Sequence, residues 1–204
     1  REPYERLVDF AQRRNLVVVN DNPYSFILNE GEHLSILAID GAKECCIELN
    51  SMSKSHNMPG WRVGMLVANA EFVSWILKVK SNIDSGTFRA VQLAAAAAMD
   101  NDEDWHREHN VRRYAERRTL AESIMQALGC RFDRNQTGLF LWGRIPDALT
   151  DAEELTERAL HEADVFITPG GIFGQNGRRY VRISLCADEN RMSEALARIQ
   201  NVFA

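Results

Sequence analysis

The spacing of apolar positions changes along this chain, and each change predicts an element. Over residues 3–14 the apolar residues Tyr4, Leu7, Val8 and Ala11 recur at the spacing of one helical face. Pro3 suits a first turn and Asn15 suits a stop. Residues 16–19 form a continuous apolar run, which predicts a parallel strand buried on both faces. Two further runs, residues 45–49 and 63–68, bracket a polar connection punctuated by Pro and Gly, the pattern of two short buried strands. Residues 70–80 read as a helix on Phe72, Val73, Trp75, Ile76 and Val79. Residues 87–99 read as another, whose alanines favour helix and close packing. Residues 104–128 read as a long charged helix with an intermittent apolar stripe, stopped by Gly129. Beyond it come strand candidates at 138–142, 165–168 and 180–186 and helices at 150–163 and 188–203, the pattern of a small α+β domain.

Composition narrows the class. The chain has 204 residues, enough for one ordinary domain or two small ones. A formal net charge of −5 gives no reason to expect nucleic acid or an anionic membrane as partner. No apolar run approaches a membrane span, and the N-terminal stretch is not a signal peptide. The pattern opens mid-helix without a start methionine, which suggests a piece of a longer polypeptide. Cys45, Cys46, Cys130 and Cys186 lack metal-ligand or redox spacing and read as buried free thiols of a reducing compartment; no metal site is expected. His106 and His109 fall on the charged helix, where a solvated face is the expectation.

The candidate chemistry lies between the second and third apolar runs, in LNSMSKSHNMPGWRVG, residues 49–64. Ser51, Ser53 and Arg62 are the donors a phosphate wants, and Lys54 is the one primary amine among them. An amine beside a phosphate-binding set suggests a phosphorylated aldehyde held as a Schiff base. Ser51-x-Ser53-Lys54, then Gly60, Arg62 eight residues past the lysine, and Gly64 resemble the lysine motif of the fold-type I pyridoxal 5′-phosphate enzymes, the aspartate aminotransferase superfamily (class I/II). Asp21, at the end of the first strand, and Tyr24, three residues on, match that family's spacing too; a plain turn is the alternative reading there. Pro169-Gly170-Gly171-Ile172-Phe173-Gly174 is similar to the family's Pro-Gly-x-x-Phe-Gly loop, and Arg182 stands where its strand arginine does.

The resemblance spans essentially the whole chain and implies an α/β fold. It corresponds to the second half of the family's large domain, a mainly parallel sheet flanked by helices, over residues 1–104. A long interdomain helix at 105–128 and a small C-terminal α+β domain at 129–204 follow. By the same resemblance Lys54 is the catalytic lysine. Asp21, a buried carboxylate, keeps the pyridine nitrogen protonated, and Tyr24 bonds the ring hydroxyl. Ser51, Ser53 and Arg62 hold the phosphate, and Arg182 grips the substrate carboxylate in a bidentate fork. Ser85 either reaches toward a partner subunit's cofactor phosphate or caps a helix. The implied activity is transfer of an amino group between an amino acid and a 2-oxo acid, in a cytoplasmic homodimer. Another reaction of the same cofactor, such as β-elimination, and a non-enzymatic regulator that senses the cofactor are the alternatives.

Overall fold

The first helix, α1 (Glu2–Arg14), carries Glu2 and Glu5 in its first turn and Arg13 and Arg14 in its last, which complements the helix dipole. Asn15 ends it in the left-handed conformation at φ 51°, a geometry asparagine tolerates better than most residues. The structure, a computed structural model, describes residues 1–31 and 33–203. It divides into two compact units, Arg1–Arg107 and Glu108–Ala204.

In the first unit, strand β1 (Val18–Asp21) follows α1, and a one-turn helix α2 (Ala42–Cys45) leads into β2 (Cys46–Ser51). A second single turn, α3 (Met52–Ser55), follows β2 directly, and β3 (Gly64–Val67) comes back beside it. Strand order is β1-β2-β3, with β1 parallel and β3 antiparallel to β2. The register sets Asp21 beside Leu49 and Ser51 beside Gly64. At Gly64 the two backbones come so close that a Cβ would lie 2.6 Å from the Asn50 carbonyl oxygen, so only glycine fits. Helices α4 (Ala70–Ile83), α5 (Arg89–Met99) and α6 (Asp102–Trp105) complete the unit. Asn69 caps α4 through its side-chain oxygen, which accepts from the Phe72 N–H at 2.9 Å.

One face of this sheet is dry. Val8 and Ala11 of α1 pack with Ile36, Ile39, Ala42, Cys45 and Cys46, and Val18 closes the cluster. The buried Glu48 is fully partnered there. It accepts from the Ser35 hydroxyl at 2.7 Å, the Ile36 N–H at 2.9 Å and the Asn50 amide at 3.2 Å, which ties the turn Ile36–Ala38 to β2. Of the four free cysteines Cys45, Cys46 and Cys130 are buried and Cys186 is exposed. Burial first, then the Cys45 neighbour, pushes the Cys46 thiol up to about 12. Burial alone pushes Cys130 to about 12. Both are inert core residues at neutral pH.

Two expectations need correction. Residues 16–19 are not buried on both faces: the strand is shifted to Val18–Asp21, and Val17 and Val19 are 54% and 56% exposed. The reason is that, among the described residues, β1 pairs with β2 alone and is covered on its α1 side only. Nor are both helix histidines on a solvated face. The chain leaves α6 as a π-helix, His106–Arg113, before resuming as α7 (Tyr114–Ala127). The wider i→i+5 turn changes which residues face inward, and His109 and Asn110 are buried there.

The second unit packs α7 against α9 (Glu189–Phe203) and against a sheet of β4 (Phe140–Arg144), β5 (Thr168–Pro169) and β6 (Tyr180–Ser184), with α8 (Ala152–Ala163) between. The strand order is β4-β6-β5, all antiparallel. Asp151 caps α8 by accepting from the Glu154 N–H at 3.2 Å, and the Glu154 carboxylate reaches back to the Thr150 N–H at 3.1 Å, a reciprocal cap. Leu141, Ile145, Val181, Leu185 and Ile199 are among its fully buried side chains.

Two predictions follow from these packing features. His109 is buried against Tyr114, and desolvation holds its pKa below the ordinary 6.5; His33 is shifted the same way, chiefly by burial. The unfolded chain therefore binds protons that the folded chain refuses as pH falls below 6.5, so stability present above that value is lost downward. Urea midpoints at about pH 7.5 and 5.5 are expected to differ in that sense. His109→Gln is expected to shrink the difference; an unaltered one would exclude His109 as a source. Separately, Val17, Val19, Trp75, Leu77, Val79 and Ile83 are exposed, and β1 and β3 each keep an unpaired edge among the described residues. The 204-residue chain expressed alone is expected to self-associate, and a monodisperse monomer in light scattering would contradict this.

Candidate active site

Lys54 stands on the single turn α3, where β2 runs out. Ser51 starts the turn: its hydroxyl oxygen accepts from the Ser53 N–H at 3.2 Å. Met52 anchors the turn in a cluster with Met58 and Ala95, with Val63 and Ala98 against it. The alanines of α5 are what permit that approach. Ser53 and Lys54 are half-buried, while Ser55 is buried. The chain then turns through Pro59–Trp61 to Arg62, which is left-handed at φ 51° and donates from Nη1 to the Pro59 carbonyl at 3.0 Å. Arg62 is exposed and two residues from Gly64, the register partner of Ser51, so strand pairing returns the chain at Arg62 beside the end of β2.

Asp21 ends β1 opposite Leu49, two residues before β2 ends at Ser51, and the Asn22 N–H bonds the Leu49 carbonyl at 2.9 Å. The carboxyl ends of the parallel pair thus carry Asp21, Ser51 and Lys54 together, where open α/β sheets bind ligands. Asp21 itself is exposed, contrary to the buried carboxylate expected, because β1 has one strand neighbour here. Tyr24 is 38% exposed. Ser85 is exposed and is not a cap: α5 begins at Arg89, with Phe88 at the cap position.

Beside this edge lies a cavity of about 250 Å³, lined by Ser51, Met52, Ser55, His56, Met65 and Asp102 among others. It shares Ser51 with the expected cofactor set but not Asp21, Tyr24, Ser53, Lys54 or Arg62. At its rim Phe26 stacks on His33 at 4.4 Å, and His106 meets His33 edge-on at 5.0 Å. Sequence reading missed His56, Asp102 and Trp105. Nothing local marks them, because their partners lie up to fifty residues away: Trp105 Nε1 donates to the Ser55 carbonyl at 2.7 Å, and His56 Nε2 lies 3.0 Å from Asp102 Oδ1. Among the described residues no group of His, Cys, Asp and Glu could hold a metal ion.

In the second unit, Arg182 is not a solvent-facing strand arginine. It is register partner of both Thr168 and Trp142, on the face of β6 opposite the fully buried Val181. Its guanidinium carbon sits 4.2 Å from the Phe140 ring centre and 4.3 Å from that of Phe173. Phe140 is the diagonal cross-strand neighbour, and Phe173 comes from the glycine-rich loop and is braced edge-on by Trp142 at 5.4 Å. That loop closes on itself at two glycines. A Cβ on Gly170 would lie 2.4 Å from the Gly177 carbonyl oxygen, and one on Gly177 would lie 2.1 Å from the Gly170 oxygen. The guanidinium carbon thus lies over two aromatic rings, and the buried Nε has no hydrogen-bond partner among the described residues. A planar carboxylate is the ligand that the N–H edge of a guanidinium suits.

Comparison with known proteins identifies the family of the chain. A family model described as aminotransferase class I and II matches residues 1–199. An LL-diaminopimelate aminotransferase of Aquifex aeolicus is 40% identical over 203 residues, covering 98% of this chain and 52% of that protein. Among solved structures, apo-BacF of Bacillus subtilis superposes with a TM-score of 0.88 at 29% identity, over 98% of this chain and 51% of that one. A probable N-succinyldiaminopimelate aminotransferase of Thermus thermophilus superposes at 0.85 and 32% identity, over 98% and 54%. The chain spans about half the length of the curated relatives it matches.

The ring contacts of Arg182 make a specific prediction. Phe173→Leu keeps most of the bulk and loses one π face, so carboxylate binding at Arg182 is expected to weaken about 5- to 30-fold, the worth of one desolvated cation–π contact. Phe173→Tyr is expected to stay close to wild type. Titration with a simple 2-oxo acid measures both, and equal affinities for all three proteins would show that the ring plays no part.

Proposed function

The chain belongs to the class I and II aminotransferase family, and from that premise we propose that it supplies the cofactor lysine and the carboxylate-binding arginine of an enzyme that moves an amino group between an amino acid and a 2-oxo acid. The observation that carries the reading is convergence at one sheet edge. Pairing of β2 with both neighbours brings the end of β1, with Asp21, and the start of β3, just after Arg62, beside the turn that carries Lys54. The residue types there suit pyridoxal 5′-phosphate. Lys54 would take the aldehyde carbon, Ser51, Ser53 and Arg62 the phosphate, Asp21 the ring nitrogen and Tyr24 the ring hydroxyl. When bound, this cofactor supplies a carbonyl that accepts the amino group and a ring that draws electrons from the substrate's Cα.

The remaining work falls to side chains of this chain. Arg182 fixes the substrate by its α-carboxylate, its guanidinium carbon lying over the Phe140 and Phe173 rings. Lys54 would hold the cofactor through its amine and, as a free amine, would serve as the base that takes the proton from the substrate's Cα. Asp21 would favour the protonated ring nitrogen by its negative charge.

The substrate to test first is a diamino dicarboxylic acid, because relatives at up to 40% identity are named LL-diaminopimelate aminotransferases. Those names favour transamination over β-elimination or a purely regulatory role. The exposed apolar residues of α4 and α5 support a homodimer, and three buried free thiols support the cytoplasm as its compartment. Among the described residues no helix is long and apolar enough to cross a membrane.

Borohydride reduction of the cofactor-loaded enzyme, followed by peptide mapping, is expected to leave the pyridoxyl group on Lys54. Lys54→Ala is expected to abolish that label and to lower turnover by about 10²- to 10⁴-fold, the worth of a positioned base. Near-normal turnover in Lys54→Ala would sink the assignment.

A further inference from the structure

A helix of one turn has almost no stability of its own, since nucleation is the unfavourable step of helix formation. Lys54 rides on such a turn. Whatever places its amine must therefore grip the turn from outside. Met52 grips the start by burial against Ala95. The end is held by hydrogen bonds within the turn and by one from outside it. Trp105 Nε1 donates to the carbonyl of Ser55, the residue after Lys54, at 2.7 Å. His56 Nδ1 lies 2.9 Å from the Ser55 hydroxyl, which donates in turn to the Ser51 carbonyl at 3.1 Å. His56 Nε2 lies 3.0 Å from Asp102 Oδ1, within ion-pair range though not aligned as a hydrogen bond. The His56 side chain is 11% exposed. Trp105 and Asp102 bound the same short helix, α6, so one element reaches both residues that follow Lys54.

We infer that Trp105, His56 and Asp102 are positioning residues for Lys54: α6 clamps the end of the lysine turn at Ser55 and His56 and so fixes where the amine stands. The inference rests on Lys54 being the cofactor lysine, as proposed above, and deepens that reading. A base or nucleophile displaced by about 1 Å loses on the order of a hundredfold in rate, and a side chain on an isolated turn moves that far unless its backbone is held. The clamp is specific to the lysine turn. Neither Trp105 nor Asp102 belongs to the set that contacts phosphate, ring or carboxylate.

Trp105→Phe removes the indole donor and keeps an aromatic ring; Asp102→Asn keeps the shape and removes the charge. Glu103→Gln, on the same helix and exposed, is the control. Amide hydrogen exchange is followed by mass spectrometry in the protein carrying this chain, with and without cofactor. Turnover is measured on the loaded enzyme. Both clamp variants are expected to exchange about tenfold faster within residues 51–58 and at wild-type rates elsewhere. Their kcat is expected to fall about tenfold with KM within about twofold of wild type. The control is expected to match wild type in both readouts. Unchanged exchange in residues 51–58, faster exchange spread over the whole protein, or full kcat in both variants would overturn the clamp. A wild-type enzyme that yields no pyridoxyl group on Lys54 after reduction would overturn the aminotransferase reading instead, and the exchange of residues 51–58 would still decide whether α6 holds the turn.

Discussion

Backbone pairing of β2 with two neighbours of opposite direction is the constraint on which the site depends. The parallel bond to β1 sets Asp21 beside Leu49, and the antiparallel bond to β3 sets Ser51 beside Gly64. A slip of one residue in either register would move every side chain to the other face. The glycine at 64 prevents such a slip on the β3 side by allowing an approach that any Cβ would block. Groups scattered over some forty residues of sequence are thereby brought to one sheet edge, and the lysine turn needs no length of its own because its ends are held by neighbours.

Arg182, the proposed carboxylate grip in the second unit, is placed by a different means. An arginine on a two-sided antiparallel strand would ordinarily turn to water. Here its guanidinium carbon lies over the rings of Phe140 and Phe173. The loop that delivers Phe173 is pinned by the contact of Gly170 with Gly177. The glycines of that motif therefore serve the arginine indirectly, by letting two backbones touch so that one ring lands on the guanidinium.

The two units show how function is laid over ordinary packing. The core of the first is made by α1, α2 and the dry face of the sheet, with Glu48 tying a turn to β2 from within it. The chemistry collects at the strand ends, away from that cluster. Burial pushes the Cys46 and Cys130 thiols inside the cores far from reactivity.

What the sequence by itself determined was local. Apolar spacing located the strands and the longer helices to within a few residues, because side-chain periodicity reports the near neighbours of each position; the single turns α2, α3 and α6 are too short to carry a period. The Ser-x-Ser-Lys run with its arginine and glycine marked the connection between two strands and the family it resembles, because those residues lie within sixteen positions of one another. Tertiary structure alone decided the rest, since each remaining feature depends on a partner distant in the chain. Trp105 looked like one more stripe residue until α6 was seen to meet the Ser55 carbonyl. The rings over the Arg182 guanidinium come from β4 and the glycine loop, both distant from it in sequence or set by strand pairing. Asp21 proved exposed because the number of strands beside β1 is not written in the residues of β1. His109 turned inward because a π-helical stretch altered the count of residues per turn, and the hydrogen-bond pattern that makes such a stretch is set by packing rather than by composition.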